Sequence, residues 1–226
     1  MDMNLQFFKK SKYTFYFLIL FTVIALPAYY FLVKVDQKLP IYNPADINPK
    51  LVDNSLRMFT KNHTVGDFEL INQNGKTITQ KDYEDKIYVA DFFFVTCKGI
   101  CVPMSNNMLE LQKRFKDDND VMFLSHSVTP EMDSVPVLKA YARRKGIING
   151  KWNVTTGSKK HIYELARKNY FAVLDEGDGG VQDFIHTENF VLIDKDKRIR
   201  GIYDGTKFEN MQNIIADIEL LKEEYK

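Results

Sequence analysis

The sequence predicts an α/β sandwich held behind an N-terminal membrane-spanning helix. Three observations predict it. Residues 13–33 (YTFYFLILFTVIALPAYYFLV) are 21 consecutive residues without a charge. Beyond residue 60, short apolar runs bounded by turn residues alternate with stretches of helical periodicity, the pattern of strands and helices in one layered domain. One of those runs, residues 87–95 (IYVADFFFV), is almost continuously hydrophobic, as expected of a strand buried on both faces.

The uncharged stretch comes first. As a helix it spans about 32 Å, against a hydrocarbon core of about 30 Å. Lys9, Lys10 and Lys12 precede it, while Lys34, Asp36 and Lys38 follow with mixed sign. The positive-inside rule then puts residues 1–12 in the cytoplasm and the remainder outside. Tyr13, Tyr16, Tyr29 and Tyr30 sit near its ends, where aromatic side chains favour the interface, and Pro27 is tolerated in a membrane helix. A cleaved signal peptide would have a shorter apolar region and a small-residue cleavage site. Ala25 and Ala28 are present, but bulky Tyr29, Tyr30 and Phe31 follow directly, so a retained anchor is expected. No Arg-rich organelle presequence precedes it. The expected context is a bacterial inner (cytoplasmic) membrane, crossed once, with the soluble domain on the periplasmic side.

Residues 34–60 read as a linker, with Pro40, Pro44 and Pro49 spaced through polar sequence and no sustained periodicity. Residues 61–226 are a comfortable size for one domain. An apolar run at 67–71, the turn 72–75 and residues 76–79 suggest a small hairpin. After the strand at 87–95, Met104, Met108, Leu111 and Phe115 are spaced for one face of a helix over 103–116. A strand at 121–128 and a helix at 134–145 follow, the helix opened by a Ser134 cap with Pro136 in its first turn. Ser158 caps a third helix running to about 168. Residues 171–174 and 190–194 look like strands, and 199–203 pairs with the latter across the turn 195–197. A closing helix over 208–225 places Met211, Ile214, Ile215, Ile218 and Leu221 on one face. The order of elements matches a thioredoxin-like fold.

Composition narrows the function. Thirty-one Lys plus Arg stand against 30 Asp plus Glu, so the net charge of +1 provides no basic field for a nucleic-acid partner. With only two cysteines, Cys97 and Cys101, the chain is not a disulfide-stapled scaffold, a four-cysteine zinc module or an iron–sulfur protein.

Those two cysteines sit where the buried strand hands over to a helix. Helix N-termini favour the thiolate, and three intervening residues put the sulfurs about one helical turn apart. Three readings compete. A structural disulfide across so small a loop would add little by chain entropy. A redox pair would use Cys97 to attack and Cys101 to resolve. A soft-metal site would bind Cu(I) with the two thiolates, or copper in either oxidation state with an added imidazole.

Four histidines are available to complete such a set. His63 precedes the first strand and His161 lies in a helix's first turn, both expected at the surface; His126 lies within a strand and reads as a satisfied, partly buried residue. His186 follows the glycine-rich stretch 176–180 and precedes the strand at 190–194, whose approach loop lies beside the cysteine loop in a thioredoxin-like sheet. On position alone a lone histidine is more often structural than a ligand.

At this point the residues resemble the Sco (SenC/PrrC) family of membrane-anchored copper proteins. The similarity runs from about Thr64 to the C-terminus and includes the single-span anchor. It rests on Gly66–Asp67–Phe68, Gly75–Lys76 and Phe94–Val95–Thr96–Cys97 with Cys101. It continues through Ser127–Val128–Thr129–Pro130–Glu131 with Asp133, Val137–Leu138–Lys139–Ala140–Tyr141 and His186, and ends in the hairpin from Val191–Leu192–Ile193–Asp194 to Arg200–Gly201. The resemblance implies that Cys97, Cys101 and His186 bind one copper ion. It also implies a role in maturing the dinuclear copper centre of cytochrome c oxidase, by copper delivery, by reduction of acceptor cysteines, or by both. The implied partners are the oxidase subunit carrying that centre and a copper donor or thiol reductant.

The sequence departs from the family pattern where Lys98 and Val102 replace the prolines usual after each cysteine. Ile185 stands where an Asp usually precedes the histidine, and Thr129 stands where the family usually has Asp. Groups next to a ligand orient it, so metal affinity is expected to be sensitive to these changes. Asp91, six residues before Cys97, resembles the buried acid of thioredoxin that assists proton transfer, and burial would raise its pKa toward neutrality. Met104 and Met108 lie one turn apart beyond Cys101 and are expected to fill core. A metallochaperone is therefore the first expectation, and a thiol–disulfide reductase of thioredoxin-like type, without obligatory metal, the second.

Overall fold

Residues 87–93 decide the centre of the molecule. All seven are buried, so this strand must be flanked on both edges and covered on both faces. The computed structural model describes residues 12–33, 38–52, 55–173, 180, 183–185 and 187–226. The chain divides into two compact units, Met1–Lys38 and Leu39–Lys226.

In the first unit a helix, α1, runs over Lys12–Val33 with Pro27 inside it. Its side chains are described for residues 14–29, and the large apolar ones, Phe15, Phe17, Leu20, Phe21 and Ile24 among them, are exposed. Among the described residues no helix is long and apolar enough to cross a membrane. The described side chains of α1 cover fewer residues than the ~20 a bilayer core takes.

The second unit is built on one seven-stranded sheet of order β2-β1-β5-β4-β3-β6-β7. Its strands are β1 (Glu69–Asn72), β2 (Thr77–Thr79), β3 (Ile87–Phe93), β4 (Val121–Ser127), β5 (Trp152–Thr156), β6 (Asn189–Ile193) and β7 (Ile199–Asp204). The central β3, β4 and β5 are parallel; β1 joins β5, and β6 joins β3, in antiparallel pairing. The expected hairpin is β1–β2, closed by a turn in which Gly75 takes φ +76, a conformation that favours glycine.

Helices α2 (Cys101–Arg114), α3 (Val135–Lys145) and α5 (Glu209–Glu224) supply the first apolar layer. Met104, Met108, Leu111, Leu138, Met211, Ile214, Ile218 and Leu221 pack there against Val89, Phe93 and Phe123. Helix α4 (Lys159–Glu164) and the π turn Leu165–Asn169 belong to the opposite layer, with Tyr88, Phe92 and Leu124. Residues 39–52 pack on the sheet as well: Tyr42 bridges to Ile199, and Ile47 and Val52 enter the core. The described part of the Pro-rich stretch from Leu39 onward therefore lies within the compact domain.

Three expectations are corrected. Strand β5 has no counterpart in the sequence reading: its Asn153, Thr155 and Thr156 look polar, yet all five residues are buried between the layers. Residues 171–173 form no strand, because Phe171 adopts φ +48, which breaks extended pairing; Leu174 lies outside the described residues. Ser134 stands at the N-cap of α3 without a side-chain cap bond, and its backbone carbonyl accepts from Leu138 instead.

Candidate functional site

Strand β3 ends at Phe93 and α2 begins at Cys101, so the seven-residue connection carries Cys97 and delivers Cys101 as the first residue of the helix. The Cys97 amide donates to Phe94 O at 3.2 Å, and the Met104 amide to Ile100 O at 3.2 Å, which winds the loop into the helix. Both cysteines are free thiols; Cys97 is partly exposed and Cys101 is buried. Burial pushes the Cys101 thiol up to about 12, with the adjacent Cys97 thiol adding to the rise and a backbone hydrogen bond at Phe94 opposing it. This rise runs opposite to the thiolate-favouring effect expected of a helix N-terminus, and its largest cause is desolvation.

A buried carboxylate ties this loop to its neighbour. Asp133 is 1% exposed. Its Oδ2 accepts from the Val95 amide (3.1 Å), Ser127 Oγ (2.6 Å) and Thr129 Oγ1 (3.1 Å). Thr129, standing where the family usually has Asp, thus serves as a donor to Asp133.

Beneath the loop, Asp91 is buried on β3, and burial raises its pKa to about 7 against an opposing hydrogen bond from Ser125 Oγ. Ser125 Oγ in turn accepts from Trp152 Nε1 at 2.8 Å. The expectation of a buried acid on the cysteine side of the sheet holds.

The histidines sort differently from the sequence reading. His63 is half-buried, its Nε2 lying 2.8 Å from Asn169 O and its ring 4.6 Å from that of Phe171. His126 is wholly buried and stacked on Phe92; its Nδ1 lies 3.3 Å from Thr155 Oγ1 and its Nε2 has no partner among the described residues. Desolvation drops its pKa to about 3. His161 is partly exposed. None of these three lies in the connection that carries the cysteines. His186 lies outside the described residues, as does most of the glycine-rich stretch before it.

The neighbours of His186 are described and firmly held. Phe184 meets Phe94 edge-on, with ring centroids 5.4 Å apart, which brings the approach segment against the cysteine loop. Arg167 makes a bidentate pair with Asp183 at 2.6 and 2.8 Å, nearly buried on both sides. The Tyr163 hydroxyl proton is shared between Val128 O (2.9 Å) and Asp183 O (3.3 Å). Ile185, the departure from the usual Asp, is buried in the core, and Thr187 Oγ1 donates to Ala172 O at 2.6 Å.

Among the described residues no group of three His, Cys, Asp or Glu side chains is arranged to hold a metal ion. The two adjacent thiols, one open to solvent, fit a soft ion or a disulfide. Met104 and Met108 are buried in the core, as expected. The tertiary partners Ser125, Trp152 and Arg167 carried no site signal of their own in the sequence, and Asp133 entered only as part of the family motif; an Arg among Ile162, Tyr163, Leu165 and Ala166 is the one hint of a buried ion pair.

Known proteins resemble this chain. The family model described as SCO1/SenC matches residues 57–223. The SCO1 protein homolog of Bacillus subtilis (strain 168) is 34% identical over 160 residues, covering 70% of this chain and 82% of that protein. Among solved structures, a SCO1/SenC family lipoprotein from Bacillus anthracis shows 35% identity and a TM-score of 0.63, covering 71% of this chain and 96% of that one. BsSco, described as a member of the Sco family of cytochrome c oxidase assembly proteins with a disulfide switch, shows 33% identity and a TM-score of 0.61, covering 71% and 94%. Copper-bound ScoI of Bradyrhizobium japonicum shares the fold at 23% identity and a TM-score of 0.54, covering 69% and 98%. The chain belongs to the SCO1/SenC family.

Proposed function

We propose that this SCO1/SenC protein binds one copper ion as cargo through Cys97, Cys101 and His186, and acts in maturing the dinuclear copper centre of cytochrome c oxidase. The observation that supports the reading is the Phe184–Phe94 contact, which sets Phe184, two positions before His186 in the chain, against the loop bearing Cys97. One residue, Ile185, separates Phe184 from His186, so their Cα atoms lie within about 7 Å of each other. The partly exposed Cys97 is open to a docked acceptor, and the buried Cys101 lies beside it. Transfer then proceeds by ligand exchange, in which thiolates of the acceptor replace those of the chain one at a time. The acceptor is the oxidase subunit carrying the dinuclear site. The apolar side chains exposed along α1 support a single-span anchor in a bacterial inner membrane, with the domain on the periplasmic side.

The asymmetry of the two thiols favours a second reading, a thiol–disulfide reductase. Cys97 would attack an acceptor disulfide to form a mixed disulfide; Cys101 would then displace the acceptor sulfur. The chain ends oxidised by two electrons as Cys97–Cys101, and the acceptor gains two thiols. Asp91, with its raised pKa, would take up the proton that Cys101 releases.

An anaerobic Cu(I) titration of the reduced full chain in detergent separates the two. The copper reading expects one tightly held ion per chain, weakened at least about tenfold by His186→Ala. Absence of specific copper binding, with a readily reversible Cys97–Cys101 disulfide, leaves the reductase.

A further inference from the structure

We propose that Asp133 is the positioning residue of the cysteine loop: its carboxylate fixes the backbone at Val95, and through it sets how Cys97 is presented beside Cys101. The connection between β3 and α2 has no strand partner, so its amides need other acceptors. Of the three groups donating to Asp133 Oδ2, only the Val95 amide belongs to that connection; Ser127 and Thr129 belong to the end of β4 and the loop after it. The two hydroxyls satisfy and orient the carboxylate, leaving it aimed at Val95. A carboxylate 1% exposed requires such donors, and a charge-assisted bond to a backbone amide is among the stronger restraints available to a loop.

The tie is one of a pair. The Val128 amide donates to Phe93 O at 2.8 Å, so the β4 end is fastened to the cysteine strand at Phe93 and again at Val95. The Asp133 amide itself donates to Thr129 O at 2.9 Å, closing the 129–133 turn that holds the carboxylate in place. Thr96 and Cys97 follow directly, with the Cys97 amide bonded back to Phe94 O. Releasing Val95 therefore frees the turn that carries the partly exposed thiol, while Cys101 stays fixed in α2.

The copper part of this inference rests on the reading given above; the positioning part does not. The test uses the reduced full chain in detergent and compares Asp133→Asn, Asp133→Glu, Thr129→Val and Cys97→Ser with the native protein. Three quantities are read: hydrogen exchange at the Val95 amide, the rate at which iodoacetamide alkylates Cys97, and Cu(I) affinity. Asp133→Asn, which keeps the shape and loses the charge, is expected to speed Val95 exchange and to weaken Cu(I) by about tenfold. Asp133→Glu, which keeps the charge and displaces it by a methylene, shifts both the same way, and Thr129→Val, which removes one of the two orienting donors while Ser127 remains, shifts them less. Native Val95 exchange and native alkylation in both Asp133 variants overturn the proposal. If Cys97→Ser leaves Cu(I) affinity unchanged, the copper reading fails, and the exchange and alkylation measurements still decide the role of Asp133.

Discussion

The ring of Phe184 meets that of Phe94 edge-on at 5.4 Å, joining the segment before β6 to the loop that follows β3. Phe184 is exposed by more than half, so the pair is held by ring geometry more than by burial. Phe184→Ala is expected to weaken Cu(I) binding by about tenfold, the low end of the scale for groups that orient a ligand without touching the metal. Competition titration against a Cu(I) chelator reads this. An affinity identical to that of the native chain would show that the contact does not position the third ligand.

Arg167 and Asp183 form a nearly buried pair, and removing one partner strands the other's charge. Arg167→Met is expected to cost about 3 kcal/mol or more of stability, while replacing both residues by apolar ones costs much less. Urea unfolding of the two variants provides the comparison. Equal losses in both would mean that the pair contributes through packing and not through charge.

Asp91 and His126 make opposite contributions to the pH dependence of stability. His126 has a folded pKa of about 3 against its usual 6.5, so the unfolded chain binds the extra proton and stability falls as pH drops below 6.5. Asp91 has a folded pKa of about 7 against its usual 3.8, so the folded chain keeps a proton that the unfolded chain gives up. Its contribution is full below 3.8 and is lost as pH rises through 7. Each group tilts stability by up to about 1.4 kcal/mol per pH unit, and between about pH 4 and 6.5 the two tilts oppose each other. Relative to the native chain, Asp91→Asn should gain stability with rising pH across that window, and His126→Gln should lose it. Chemical denaturation at several pH values is the check; parallel profiles in all three proteins would refute the assignment.

Met104 and Met108 line up one turn apart on α2, but both are buried in the layer formed with α3 and α5. Leucine at both positions is expected to preserve copper stoichiometry and affinity within about twofold, at a stability cost under about 1.5 kcal/mol. Loss of the bound ion in that double variant would place a thioether in the metal site.

Much of this architecture is legible in the sequence, and the exceptions have physical causes. The run 87–93 announces a central strand because burial on both faces leaves only apolar residues plus Asp91. The closing helix is legible because Met211, Ile214, Ile218 and Leu221 share one stripe. Strand β5 is not, since its polar residues are satisfied by tertiary partners such as Asn72 and Tyr83, which bond Asn153. Phe171 reads as strand because its apolar neighbours do; its left-handed backbone and its packing against the His63 ring leave no mark on that local pattern. In the site, the cysteine spacing is a local feature and visible at once. Asp133 is visible as part of the family motif, but its bond to Val95, 38 residues away, is set by the fold; of the Arg167–Asp183 pair the sequence shows only an Arg within an apolar run.

X-ray absorption at the copper edge tests the central claim most directly, because it counts the ligand atoms. The Cu(I)-loaded full chain is expected to show two sulfurs and one imidazole nitrogen, with the nitrogen lost in His186→Ala and one sulfur lost in Cys97→Ser. A spectrum with two sulfurs and no imidazole in the native chain, unchanged by His186→Ala, would contradict the three-ligand site.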